Sequence, residues 1–101
     1  MSHQKKEAKM GKWIKVGDNG EEVTPADGKQ FTLEELQKYV GGYIERIELG
    51  NNLAMYVNEE GALKKLPINN IATWILQGLR LLTFGVVVRG NAIIVDYREE
   101  R

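Results

Sequence analysis

The chain has 101 residues, enough for one domain, and its 14 basic and 14 acidic side chains cancel to a formal net charge of zero. Having no cysteine, it has no disulfide framework, zinc ribbon or thiol nucleophile; having no cationic excess, it is not expected to bind nucleic-acid backbones in general. No apolar run approaches the roughly 20 residues that span a bilayer, so a soluble cytoplasmic domain without a membrane partner is expected.

Residues 1–12 carry four lysines and almost nothing to bury, and read as a flexible basic leader ahead of a single domain over residues 13–101. Trp13-Ile14-Lys15-Val16 is strand-like and gives way to a turn at Gly17-Asp18-Asn19-Gly20. Pro25 and Asp27-Gly28 mark residues 21–30 as a loop or irregular edge. Thr32 and Glu35 then stand at capping-box spacing, with Phe31 and Leu36 as a hydrophobic staple. Apolar residues recur at helical spacing as far as Val40, and Gly41 follows as a left-handed terminator, so a helix is predicted over 33–40.

Two alternating runs, Tyr43–Leu49 and Leu53–Asn58, flank Gly50-Asn51-Asn52 and predict a hairpin. In it Leu53, Met55 and Val57 share one face and Ala54, Tyr56 and Asn58 the other, while Glu45 is the one charge on an apolar stripe. Glu59-Glu60-Gly61 reads as a turn in which Gly61 supplies positive φ. Asn69 is placed to cap a second helix over about residues 70–79, its end blurred by Gly78. The Val/Ile runs Phe84–Arg89 and Ala92–Tyr97, split by Gly90-Asn91, predict a hairpin buried on both faces at the centre of the sheet. The expected fold is α+β: a mostly antiparallel sheet of about five strands with two helices packed on it.

The chemical inventory is short. His3 and Ser2 are the only histidine and serine, and both lie in the leader. No Ser–His–acid arrangement and no histidine-based zinc centre can be built within the domain. No calcium loop, P-loop or dinucleotide fingerprint occurs either. The expectation is a protein that is not an enzyme, with no catalytic residue, metal site or cofactor.

Three constellations remain as candidate binding residues. Gly41 and Gly42 could bring backbone N–H groups close to an anion beside Tyr43 and Glu45, or simply end the helix and let it pack tightly. Asn58 and Glu59 could read the polar edge of a ligand, or bond their own turn. Asn69 and Thr73 stand where a helix N-terminus favours an anion, with Trp74 beside them; capping is the plainer role. Tyr43, Tyr56 or Trp74 could stack a base, and Arg80 or Arg89 could pair with a phosphate or with a carboxylate of the protein itself.

The blocks Leu36-Gln37-x-x-Val40-Gly41-Gly42-Tyr43-Ile44-Glu45, Tyr56-Val57-Asn58-Glu59-Glu60-Gly61, Leu66-Pro67-x-Asn69-x-x-Ala72-Thr73 and Phe84-Gly85-Val86-Val87-Val88, in that order, resemble one family. It is the domain-of-unknown-function family numbered 3846, met in bacteriophages, mobile elements and their bacterial hosts. The resemblance covers residues 31–96 and implies a phage-type accessory protein in a bacterial host cell, without an established activity.

Two functions compete on this reading. In the first, the protein sequesters a small nucleotide-like ligand, such as an immune signal of a bacterial defence system, held between the subunits of a homo-oligomer. In the second, it is an inhibitor or adaptor that docks on a host protein through apolar residues rimmed by glutamates.

Overall fold

The computed structural model describes residues 10–97. Its strands are β1 (Met10–Ile14), β2 (Glu21–Val23), β3 (Ile44–Gly50), β4 (Leu53–Asn58) and β5 (Ala92–Asp96). They form one antiparallel sheet in the order β2-β1-β5-β4-β3. The helices are α1 (Leu33–Val40) and α2 (Asn70–Gly78). The predicted α+β architecture, five strands with two helices, is the one observed.

The strand period of two divides the core into two layers. Ala54, Tyr56, Ile93 and Val95 pack with Phe31, Leu36 and Val40 of the α1 layer. Met55, Val57 and Ala92, from the alternate positions, pack with Ala72, Leu76 and Val88 of the α2 layer. One helix therefore covers each face of the sheet. The face assignment predicted for this strand holds for Met55 and Val57 on one side and for Ala54 and Tyr56 on the other.

The first helix forms as its sequence dictates. Glu35 N–H donates to Thr32 Oγ1 at 3.1 Å, and Thr32 N–H donates to Glu35 Oε1 at 2.8 Å. Glu35 Oε2 also accepts from Ala26 N–H at 2.9 Å, so one carboxylate closes the helix start and pins the preceding loop. These backbone donors, Thr32 first and then Ala26, hold the Glu35 carboxyl below the ordinary glutamate range. Residues 21–30 contain an edge strand, since β2 pairs with β1 at Gly11↔Val23. β1 itself begins at Met10, inside the stretch read as a leader; residues 1–9 and the charged end 98–101 lie outside the described residues.

The last predicted hairpin does not form. β5 is central, but its neighbours are β1 and β4, and residues 84–89 contribute only an isolated bridge between Arg89 and Ile68. The backbone groups that a ladder would need are engaged elsewhere. Val88 N–H donates to Thr73 Oγ1, Val88 O accepts from Asn69 N–H, and Val86 N–H donates to Thr83 O in a turn where Gly85 takes φ +86°. Phe84, expected inside the sheet, is fully exposed.

Two expectations follow. Thr32→Ala removes one capping bond and costs about 1 kcal/mol, lowering the melting temperature by about 4–8 °C in thermal unfolding. In the α1 layer the Tyr56 and Tyr97 hydroxyls are 2.5 Å apart. Burial, and then the bond to Tyr56, push the Tyr97 hydroxyl well above the usual tyrosine range. The unfolded chain ionises this group near pH ~10 while the folded one keeps its proton. Its stabilisation is therefore complete below about pH 10 and is lost as the pH rises through the folded value. Urea titrations on either side of about pH 10 should show that decline, and Tyr97→Phe should flatten it.

Candidate functional site

The first and second candidate blocks meet at a joint between elements. Gly41, with φ +81°, ends α1, and the N–H groups of Gly41 and Gly42 both donate to Gln37 O, at 2.8 and 3.0 Å. A Cβ on Gly42 would lie 2.9 Å from Asn58 Nδ2, so glycine is required there by close approach of the asparagine. Asn58 is 6% exposed; its Nδ2 donates to Val40 O at 3.3 Å, and its Oδ1 accepts from Glu60 N–H at 2.8 Å. Glu59 N–H closes the joint by donating to Tyr43 O at 2.9 Å. Gly61 serves this corner differently from the expectation. Its φ is not positive, and glycine is needed because a Cβ would sit 2.6 Å from Arg89 O.

The start of α2 is a second joint. Asn69 is 1% exposed, and its Oδ1 accepts from Ala72 N–H at 3.1 Å, the expected cap. Its Nδ2 donates to both Ile14 O and Gly90 O at 2.9 Å, tying the end of β1 and the turn before β5 to the helix. Thr73 Oγ1 donates to Asn69 O at 2.8 Å and accepts from Val88 N–H at 2.8 Å. The side-chain polar atoms of Asn69 and Thr73, the two candidates here, are engaged by the protein itself.

Between these joints, on the α2 face, lies a cleft of about 200 Å³. Glu45, Asn58, Glu59 and Arg89 line it among the ten candidates, over an apolar floor that includes Val57 and Leu76. Arg89 Nη1 donates to Leu66 O at 3.0 Å. The side-chain carboxylates of Glu45 and Glu59 form no ion pair or hydrogen bond among the described residues. Gly41, Gly42 and Tyr43 are not among the lining residues, and Tyr43 is exposed. Tyr56 is buried in the α1 layer with its hydroxyl against that of Tyr97, away from the cleft. Trp74 is exposed and no aromatic ring lines the cleft.

Sequence reasoning missed the segment after α2. Leu79, Leu81, Phe84 and Val86 are all exposed there, and Leu82 and Val86 border the cleft. The signal was Gly85, a turn residue in the middle of the apolar run read as a strand. Among the described residues no cluster of three His, Cys, Asp or Glu side chains could hold a metal, and no helix is long and apolar enough to cross a membrane.

These features define an α/β/α-layered α+β domain whose polar motifs knit its elements together beside a small cleft. The chain belongs to the family described as Domain of unknown function (DUF3846), whose family model matches residues 12–101. The match takes in the first strands as well as the 31–96 region that carries the motifs. No curated protein and no solved structure matches the chain.

The double role of Asn69 can be tested by substitution. A residue that only capped a helix could be replaced by aspartate at little cost. Here Asn69→Asp would set a carboxylate against two carbonyl oxygens, and Asn69→Ala would leave both unpaired. Each change should cost about 2–4 kcal/mol in denaturant unfolding, with aspartate the worse of the two.

Proposed function

We propose that this domain is a non-catalytic docking protein, an inhibitor or adaptor that engages a protein partner through the surface formed by the end of α2 and residues 79–86. The observation that carries this reading is the exposure of Phe84 together with Leu79, Leu81 and Val86 on one short segment. Scattered apolar residues on a surface are ordinary, but a continuous group of them marks an interaction site. Burying a side chain the size of Phe84 contributes about 1.5–3 kcal/mol, the scale of an interface anchor. Glu45 and Glu59 supply a polar rim beside it. The phage and mobile-element setting implied by the family resemblance makes a bacterial host protein the natural class of partner.

The small-ligand reading draws on the same cleft, where four of the ten candidate residues gather. Its volume of about 200 Å³ is smaller than the roughly 300–1,000 Å³ of most ligand pockets. It also offers a nucleotide no ring to stack on, and two carboxylates against one guanidinium. Those features favour docking over sequestration.

Two measurements separate the readings. Phe84 makes little contact with the fold, so Phe84→Ser should leave the melting temperature within about 2–4 °C of the parent while abolishing capture of a host protein from bacterial lysate. The same proteins retained by both chains would sink the docking reading. Thermal unfolding against nucleotides, cyclic oligonucleotides and ADP-ribose derivatives should be flat. A compound present at 100 times its dissociation constant would add about 2.7 kcal/mol, a shift on the order of 10–20 °C, and would establish sequestration instead.

A further inference from the structure

The chain carries a projection and a recess of opposite character side by side. The projection begins where α2 ends. Arg80 N–H donates to Gln77 O at 2.9 Å, and Leu81 N–H donates to Leu76 O at 2.8 Å. That pair of bonds is a Schellman motif, and Arg80 occupies its left-handed position with φ +60°. Glycine would sit there without strain, so an arginine at this position is a candidate for a role outside the fold. Its guanidinium forms no ion pair or hydrogen bond among the described residues. Arg80 and Phe84 border one shallow depression together with Leu82, which puts a cation and an aromatic ring on the same stretch of surface.

The recess is the cleft described above. Leu82 borders both features, so they lie on one face of the molecule. Val57, Leu76 and Leu82 make the recess apolar, and Glu45 and Glu59 bring to it two carboxylates that have no partner among the described residues. Arg89 offsets one of those charges and is itself tethered to Leu66 O, which leaves the recess with a net negative charge. An aromatic group flanked by a cation matches this recess in polarity and charge.

We propose that a second copy of this chain supplies that group. Each copy seats Phe84 in the cleft of the other and sets Arg80 against the other's Glu45 and Glu59. A projection and a recess on one face can engage reciprocally about a two-fold axis, which gives a closed dimer and no open chain of subunits. Net charge zero adds no general repulsion between copies. The proposal goes beyond the docking reading: it covers the same apolar surface in the free protein, which a partner would then have to displace.

Sedimentation equilibrium of the full chain over a wide concentration range tests this. The expected mass is twice the 11.4 kDa of one chain, collapsing to one chain in Phe84→Ser. Arg80→Glu should raise the dissociation constant at least about tenfold. Combining Arg80→Glu with Glu45→Arg and Glu59→Arg reverses both sides of the contact and should restore the dimer, while melting curves confirm that each variant folds. A wild-type monomer throughout, a dimer that survives Phe84→Ser, or a charge reversal that restores nothing would each overturn the proposal. A monomer that still captures a protein through Phe84 would leave the docking reading standing. A Phe84-dependent dimer whose Phe84→Ser variant captures the same proteins would do the opposite.

Discussion

The buried carboxamide of Asn69 is the point on which the arrangement of the sheet depends. β5 lies between β1 and β4, so the beginning and end of the described chain must meet along one ladder. Pairings of such long sequence separation carry a loop-closure cost before any contact offsets it. Asn69 lies between the two strands in sequence and bonds to the end of β1, to the carbonyl of Gly90 just before β5, and to the first turn of α2. Three parts of the chain are fixed by one side chain. In the low-dielectric interior these bonds are strong, and the cost of leaving any of them unmade is high. A second asparagine, Asn58, does similar work between the end of α1 and the turn after β4, and the neighbouring Glu59 N–H adds a bond to Tyr43 O just before β3.

This division of labour explains which parts of the fold could be read from sequence. Thr32, Glu35, Phe31 and Leu36 act within a few residues of one another, so α1 was legible to the residue. The hairpin around Gly50-Asn51-Asn52 was legible for the same reason, since its turn and its alternation are local; Asn51 and Asn52 both take positive φ there. The run Phe84–Arg89 was not. Its Val content favours a strand, but its fate is set by Thr73 and Asn69, residues more than ten positions away that take the backbone groups of Val88. Local propensity cannot register a competitor that arrives through tertiary structure.

The candidate site shows the same boundary. The glycine and asparagine blocks were conspicuous because close approach and buried bonding restrict which residues can stand there. Those restrictions are satisfied inside the protein: Gly42 makes room for Asn58, and Gly61 makes room for the Arg89 carbonyl. A motif that is specific in sequence can therefore be specific for a joint. Spacing alone does not reveal whether an asparagine amide faces outward or bonds three carbonyl and N–H groups of its own chain. Glu45, Glu59 and Arg89 each stood out in sequence, but their proximity around the cleft is a product of sheet register and of the turn.

What the joints leave unused is where function has room to lie. α2 has only nine residues, and Ala72, Thr73 and Leu76 are its buried positions. A helix this short hides little surface of its own and none of the segment that follows it. The chain then continues through Leu79, Leu81, Phe84 and Val86 before Val88 returns to the α2 layer. Nothing in the fold requires Phe84 to be apolar, because its side chain is fully exposed, and Leu79, Leu81 and Val86 each leave more than two-fifths of their surface in solvent. Arg80 sharpens the point: its backbone conformation favours glycine, yet a long cationic side chain stands there beside an exposed aromatic ring. Choices that neither stabilise the fold nor follow from local propensity require another cause. An interface would supply one, since burial against a partner rewards both an exposed aromatic ring and a cation beside it.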